Sequence, residues 1–187
     1  MLPKETQILN AAREHFFRYG FKKANVEEIA HDAGVGKGTV YNYFDNKEAL
    51  FIRCAEQDYQ SIREQLKKVL KAEKNAEQKL IRLLLCKLGH IKGLILQYSM
   101  SRVVFEEMID THVKLSNKKQ EAIHDIQQLL EEGETEGLFR KADHHKNAVM
   151  IEKIQFQFIL RWLEMDSAEI EQEVRDLFEL IFGGLRQ

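Results

Sequence analysis

Proline is nearly missing from this sequence. Its single proline, Pro3, opens a chain of 187 residues that holds only ten glycines. So few chain breakers argue for long helices. β-branched runs with period-two alternation are missing too, which argues against strands. No apolar run approaches the ~20 residues needed to span a bilayer. The opening MLPKETQ lacks the apolar stretch of a secretory signal, so a cytoplasmic location is expected. Cys54 and Cys86, the two cysteines, form no Cys-x-x-Cys pair and are expected as free thiols of a reducing compartment. Nucleophile-elbow, P-loop, Gly-x-Gly-x-x-Gly and His-Glu-x-x-His patterns are all absent. Neither enzymatic chemistry nor a cofactor is expected.

Bulk charge is also lacking. The formal net charge is -2. Residues 1–50 balance seven basic side chains (Lys4, Arg13, Arg18, Lys22, Lys23, Lys37, Lys47) against seven acidic ones. Any attraction to a polyanion must therefore come from placement.

What remains is a globular composition, 44% hydrophobic and 31% charged, with helical periodicity throughout. An all-α fold is expected, with nine helices over residues 3–19, 26–33, 37–43, 46–70, 76–91, 94–111, 114–136, 145–163 and 167–182. Residues 1–50 read as a small N-terminal domain and residues 51–187 as a larger helical one. Asn25 and Asn46 are expected as N-caps, with Glu28 completing a capping box behind Asn25. Gly133 falls inside a helical pattern and leaves that boundary open.

The functional signal lies in residues 25–44, NVEEIAHDAGVGKGTVYNYF. Two short helices flank a turn at Gly34-Val35-Gly36. Gly34 permits a left-handed backbone, and Val35 offers an apolar plug between the helices. In such a unit the second helix presents its N-terminal residues to the major groove. Lys37 can reach phosphate or guanine, and Gly38 lets the backbone approach closely. Thr39 can bond a base or touch a thymine methyl, Asn42 can read adenine, and Tyr41 and Tyr43 can donate to phosphate. Val40 and Phe44, four apart, read as core. Lys47, in the first turn of the next helix, suits a phosphate clamp.

The stretch from Ile8 to Leu50 resembles the TetR family N-terminal domain. The likeness runs through Ile8-Leu9-x-Ala11-Ala12, Phe16, Gly20-Phe21, Val26, Ile29-Ala30, Ala33-Gly34-Val35, Thr39, Tyr41, Tyr43-Phe44, Lys47 and Leu50. The resemblance implies a homodimer on double-stranded operator DNA and a C-terminal ligand domain that controls binding. It also carries DNA contact over to Asn25, Lys37, Gly38, Thr39, Tyr41, Asn42, Tyr43 and Lys47. Asn25 stands where threonine is common, and Gly36 where a serine cap is usual.

Two further sites are expected in the C-terminal part. A dimer interface is read in Val149, Ile159, Trp162, Ile170, Val174, Leu177, Phe178 and Ile181, from the apolar stripes of the last two helices. A cavity for a small apolar or aromatic effector is read in Tyr98, Met100, Val104, Phe105 and Met108, with Phe156 and Phe158 opposite. His144-His145 lacks metal-ligand spacing and reads as a helix entry, so no metal is expected. The function that follows is a ligand-responsive DNA-binding regulator, a repressor released from a palindromic operator by its effector. The alternative is an adaptor of the same fold that acts through a protein partner without a small effector.

Overall fold

The computed structural model describes residues 3–115, 118–162 and 167–186. The described residues form nine helices: α1 (Lys4–Tyr19), α2 (Val26–Asp32), α3 (Lys37–Tyr43), α4 (Lys47–Leu70), α5 (Ala76–Tyr98), α6 (Arg102–Leu115), α7 (Lys118–Thr135), α8 (His144–Trp162) and α9 (Ser167–Leu185). The one extended pairing among them is an isolated bridge between Phe139 and Arg186. No helix among them is long and apolar enough to cross a membrane.

By compactness the chain divides into two units. The first holds Met1–Ser61 and Gly93–Asn117, the second Ile62–Lys92 and Lys118–Gln187. The head expected in residues 1–50 thus forms one compact body with the start of α4, the end of α5 and all of α6. Its core gathers Ile8, Leu9, Ala12 and Phe16 of α1, Ile29 of α2, Val40 of α3 and Leu50 of α4. Phe51 stands edge-on to Phe16 at 5.2 Å. Side chains three and four apart meet on one helix face, so this periodic spacing is what packs α1 against its neighbours.

The expected break at Gly89 to Gly93 does not occur, and α5 runs on to Tyr98. A helical glycine costs only about 1 kcal/mol, and Leu88, Lys92, Leu94 and Leu96 around this pair are strong helix formers. The chain turns instead at Ser99, whose φ is 49°. Its N–H donates to the Leu96 carbonyl and that of Met100 to the Ile95 carbonyl, at 3.4 and 3.0 Å. This is the two-bond closure usually built on glycine. Ser101 then caps α6, its hydroxyl accepting from the Val104 N–H at 3.3 Å.

In the second unit, Leu80, Leu83 and Leu84 of α5, Ile126 and Leu130 of α7, Ile151 of α8 and Val174, Phe178 and Phe182 of α9 are buried. Phe139 stacks on Phe182 at 5.4 Å. α7 passes through Gly133 and closes at Gly137, φ 74°.

Candidate nucleic-acid interface

The turn between α2 and α3 closes through two hydrogen bonds. Gly34 N–H donates to the His31 carbonyl at 2.9 Å, and Val35 N–H to the Ala30 carbonyl at 3.0 Å. Gly34 takes φ 67°, where any Cβ would be strained. Gly36 is extended and serves as N-cap of α3 without a side-chain bond. Asn25 caps α2, its Oδ1 accepting from the Glu27 N–H at 2.9 Å. Glu28, expected to complete a capping box, lies 3.9 Å from His15 Nδ1 instead.

α3 is oriented by its two apolar residues. Val40 and Phe44 are buried. Positions 38, 39 and 42 consequently point away from that face and 41 lies on its flank, while Lys37 opens the helix. Lys37, Gly38, Tyr41, Asn42 and Tyr43 are exposed and Thr39 is half-buried. Tyr41 keeps 43% and Tyr43 47% of its surface exposed, more than a core-serving aromatic of this head does. Lys37 Nζ stands 3.5 Å from Glu27. An exposed pair of this kind holds weakly, so its ammonium can exchange the carboxylate for a phosphate.

Lys47 opens α4. Asn46 caps that helix, its Oδ1 accepting from the Ala49 N–H at 2.7 Å. The Lys47 ammonium donates to the Lys22 carbonyl at 3.2 Å and sits 4.8 Å from the centre of the Phe21 ring. Both contacts fix a long side chain beside a helix N-terminus, where unpaired N–H groups favour an anion.

α2 is held to α1 by a polar contact in the first unit. His15, 6% exposed, places Nε2 2.8 Å from Asp32 Oδ2. The His15 bond, then that of His31, lowers the Asp32 pKa from its usual value. His15 and Asp32 border an open cleft of about 770 Å³ lined also by Arg13, Arg18, Tyr19 and Tyr98.

The expected DNA-contact residues thus all belong to the first unit, as the residues of α3, the cap of α2 and the ammonium seated at the start of α4. Residues 8–54 match the family model described as "Bacterial regulatory proteins, tetR family". The similarity extends well past that segment. Over 136 residues, 73% of this chain and 69% of the relative, the sequence is 30% identical to the fatty acid metabolism regulator protein of Bacillus subtilis (strain 168). The chain belongs to the TetR family.

TetR-family membership makes it a DNA-binding transcriptional regulator and not an enzyme. It is also 43% identical over 56 residues to the transcriptional regulator UidR of Escherichia coli (strain K12), spanning 29% of that protein. Two solved structures share the fold over nearly their whole length. The fatty acid degradation regulator FadR from Bacillus halodurans aligns with a TM-score of 0.76 and 24% identity, covering 100% of this chain and 98% of that one. FadR from Bacillus subtilis in complex with stearoyl-CoA aligns with a TM-score of 0.70 and 23% identity, covering 96% and 98%.

Five of the effector residues expected from sequence belong to the first unit. Tyr98, Met100, Phe105 and Met108 are buried and Val104 is half-buried, all within the first unit. Tyr98 meets Phe17 of α1 edge-on at 4.9 Å. α6 lies against α1 in this unit. The side chains of Phe156 and Phe158 lie outside the described residues.

The second unit has polar and apolar features of its own. An opening of about 200 Å³ is lined by Leu66, Leu70, Leu83 and Leu129, with Arg63 and Asp125 among its polar neighbours. Lys87 is half-buried, and desolvation lowers its pKa against the opposing pull of Asp125 and Glu152. Gln155, 5% exposed, holds a buried amide nitrogen without an acceptor among the described residues. Sequence reasoning passed over Lys87 and Gln155. A lysine and a glutamine amid apolar residues were the available signal.

Of the expected dimer residues, Ile170, Val174 and Phe178 are covered by their own unit, Phe178 completely. The α9 stripe read from sequence is therefore mainly subunit core. A second stripe, Leu177, Leu180, Ile181 and Gly184, follows at spacings of three, one and three. Leu177 and Ile181 are half-buried and Leu180 is 78% exposed. On α8, Val149 and Ile159 are half-buried, Met150 is 52% exposed, and the Trp162 side chain lies outside the described residues. His144 begins α8 and bonds Glu134. No group of three or more metal-binding side chains occurs among the described residues.

Proposed function

We propose that this regulator is a homodimeric repressor that leaves a palindromic operator when it binds a long-chain acyl-CoA. The observation that carries the reading is the 30% identity over 136 residues to a fatty acid metabolism regulator, a span too long to lie in the DNA-reading head alone. The acyl chain fits the apolar effector expected from the sequence. It would enter the second unit from the leucine-lined opening. The acceptor-less amide of Gln155 would meet the thioester carbonyl, since a buried donor without a partner costs about 1–3 kcal/mol. Residues 1–50 supply the DNA-reading surface, with Lys37, Gly38, Thr39, Tyr41 and Asn42 in the groove and Asn25, Tyr43 and Lys47 on phosphates.

Dimerisation in this reading uses the outer stripe of α9 with Val149 and Met150 of α8. Dyad symmetry then pairs two recognition helices about one helical turn of DNA, roughly 34–36 Å, apart.

The test is release of a labelled duplex, selected by the protein itself from a randomised pool. Stearoyl-CoA should dissociate the complex and raise the melting temperature of the free protein, by ~2.7 kcal/mol of stability at 100 times its dissociation constant. Coenzyme A alone should do neither. Unchanged DNA binding and melting across acyl-CoAs of all chain lengths would remove the effector from this account and leave the DNA-binding assignment standing.

A further inference from the structure

Glu107 lies on α6, 85 residues from its partner in the DNA-reading head. Its Oε1 accepts a hydrogen bond from the Lys22 backbone N–H at 2.6 Å. The same carboxylate fills the space above Gly20, where a Cβ would stand 3.1 Å from Oε2. Gly20 has φ 85°, so glycine here serves both the backbone and the carboxylate. Two residues on, the carbonyl of Lys22 accepts from the Lys47 ammonium at 3.2 Å. One residue's backbone thus donates its N–H to the α6 carboxylate and accepts from Lys47 at its carbonyl.

We infer that Glu107 is a positioning residue for the phosphate contact of Lys47, acting through the backbone of Lys22. The inference rests on the DNA-binding reading of Lys47. A carboxylate so near a DNA-facing surface repels phosphate, since like charges repel. Its retention needs a local reason, and the latch on Lys22 supplies one. With the latch closed, the turn carrying Lys22 and Phe21 is fixed, and the ammonium between them is held in one place before DNA arrives. With it open, the lysine must be ordered at binding, and the free-energy cost falls on the complex. α6 thereby gains a direct handle on the DNA contact.

The latch and plain electrostatics predict opposite signs. Removing a negative charge from the DNA side should tighten binding. Removing the acceptor for Lys22 should loosen it. Purified full-length variants would be bound to the duplex selected by the unaltered protein, and to an unrelated duplex, at several salt concentrations. Glu107→Ala and Glu107→Asp, the second keeping the charge but shortening the reach, should each weaken both duplexes about five- to tenfold. Each should lower the salt slope by about one counterion per half-site, as Lys47→Ala does. Glu107→Gln keeps the acceptor oxygen and should retain binding and slope. The Glu107→Ala/Lys47→Ala pair should lose no more than Lys47→Ala alone. Binding by Glu107→Ala or Glu107→Asp as tight as the unaltered protein, or additive losses in the pair, would overturn the inference while leaving the interface intact. No effect of Lys47→Ala would overturn both.

Discussion

The ring of Phe139 occupies the place that a Cβ on Gly133 would need. Phe139 is itself fully buried and stacked on Phe182, so it has nowhere to retreat. Gly133→Ala would gain about 1 kcal/mol of helix propensity, yet overpacking costs about 1–3 kcal/mol. The variant should be less stable in urea denaturation. A midpoint equal to or above that of the unaltered protein would contradict the packing described.

The two cysteines should differ in reactivity. Burial pushes the Cys54 thiol up to about 12, and its Sγ–H lies 3.7 Å from the Leu9 carbonyl. Cys86 is half-buried, and burial raises its pKa as well. A thiol reagent at pH 8 should modify Cys86 first and reach Cys54 only on unfolding, because the thiolate is the nucleophile. Mass mapping of the labelled peptides decides between them.

Asp32 should titrate below its usual 3.8, chiefly through its bond to His15. A depressed carboxylate stabilises the fold above its unfolded value and loses that contribution as the pH falls through the folded one. The contribution is thus complete at neutral pH and vanishes in the window below 3.8. NMR titration of the Asp32 carboxyl should show the low value, and His15→Ala should move it back up.

On α9, Leu180 and Phe178 should separate assembly from folding. Leu180→Glu alters a side chain that is 78% exposed in the single subunit, whereas Phe178 is wholly buried. Sedimentation of Leu180→Glu should give a folded monomer. Phe178→Asp should fail to fold, because a lone buried charge has no partner. A dimeric Leu180→Glu would move the interface elsewhere.

Much of the DNA-reading unit was legible because its signals are local. Gly34 announces the turn, and Asn25 and Asn46 announce the helices they cap. Val40 and Phe44 fix the inward face of α3, which begins at Lys37. What escaped depends on distant residues. Ser99 rather than glycine turns the chain after α5, and Gly133 sits mid-helix because Phe139 crosses it. Tyr98, 81 residues from Phe17 of α1, meets it edge-on. The apolar positions of α9 divide into an inner and an outer stripe, and sequence alone does not rank them. Glu107 finds the Lys22 amide across 85 residues, a contact that no periodicity encodes.

The most direct test of the account is selection of duplexes from a randomised pool by the full-length protein, repeated with Lys47→Ala, Thr39→Ala and Asn42→Ala. A dyad-symmetric sequence should be enriched. Phosphate contacts position the protein without reading bases. Lys47→Ala should therefore weaken every duplex alike and keep the preference. Thr39→Ala or Asn42→Ala should instead cost about 1–3 kcal/mol and relax one position in each half-site. Enrichment of no sequence, or a preference altered by Lys47→Ala and untouched by changes at Thr39 and Asn42, would contradict the assignment of α3 as the reading helix.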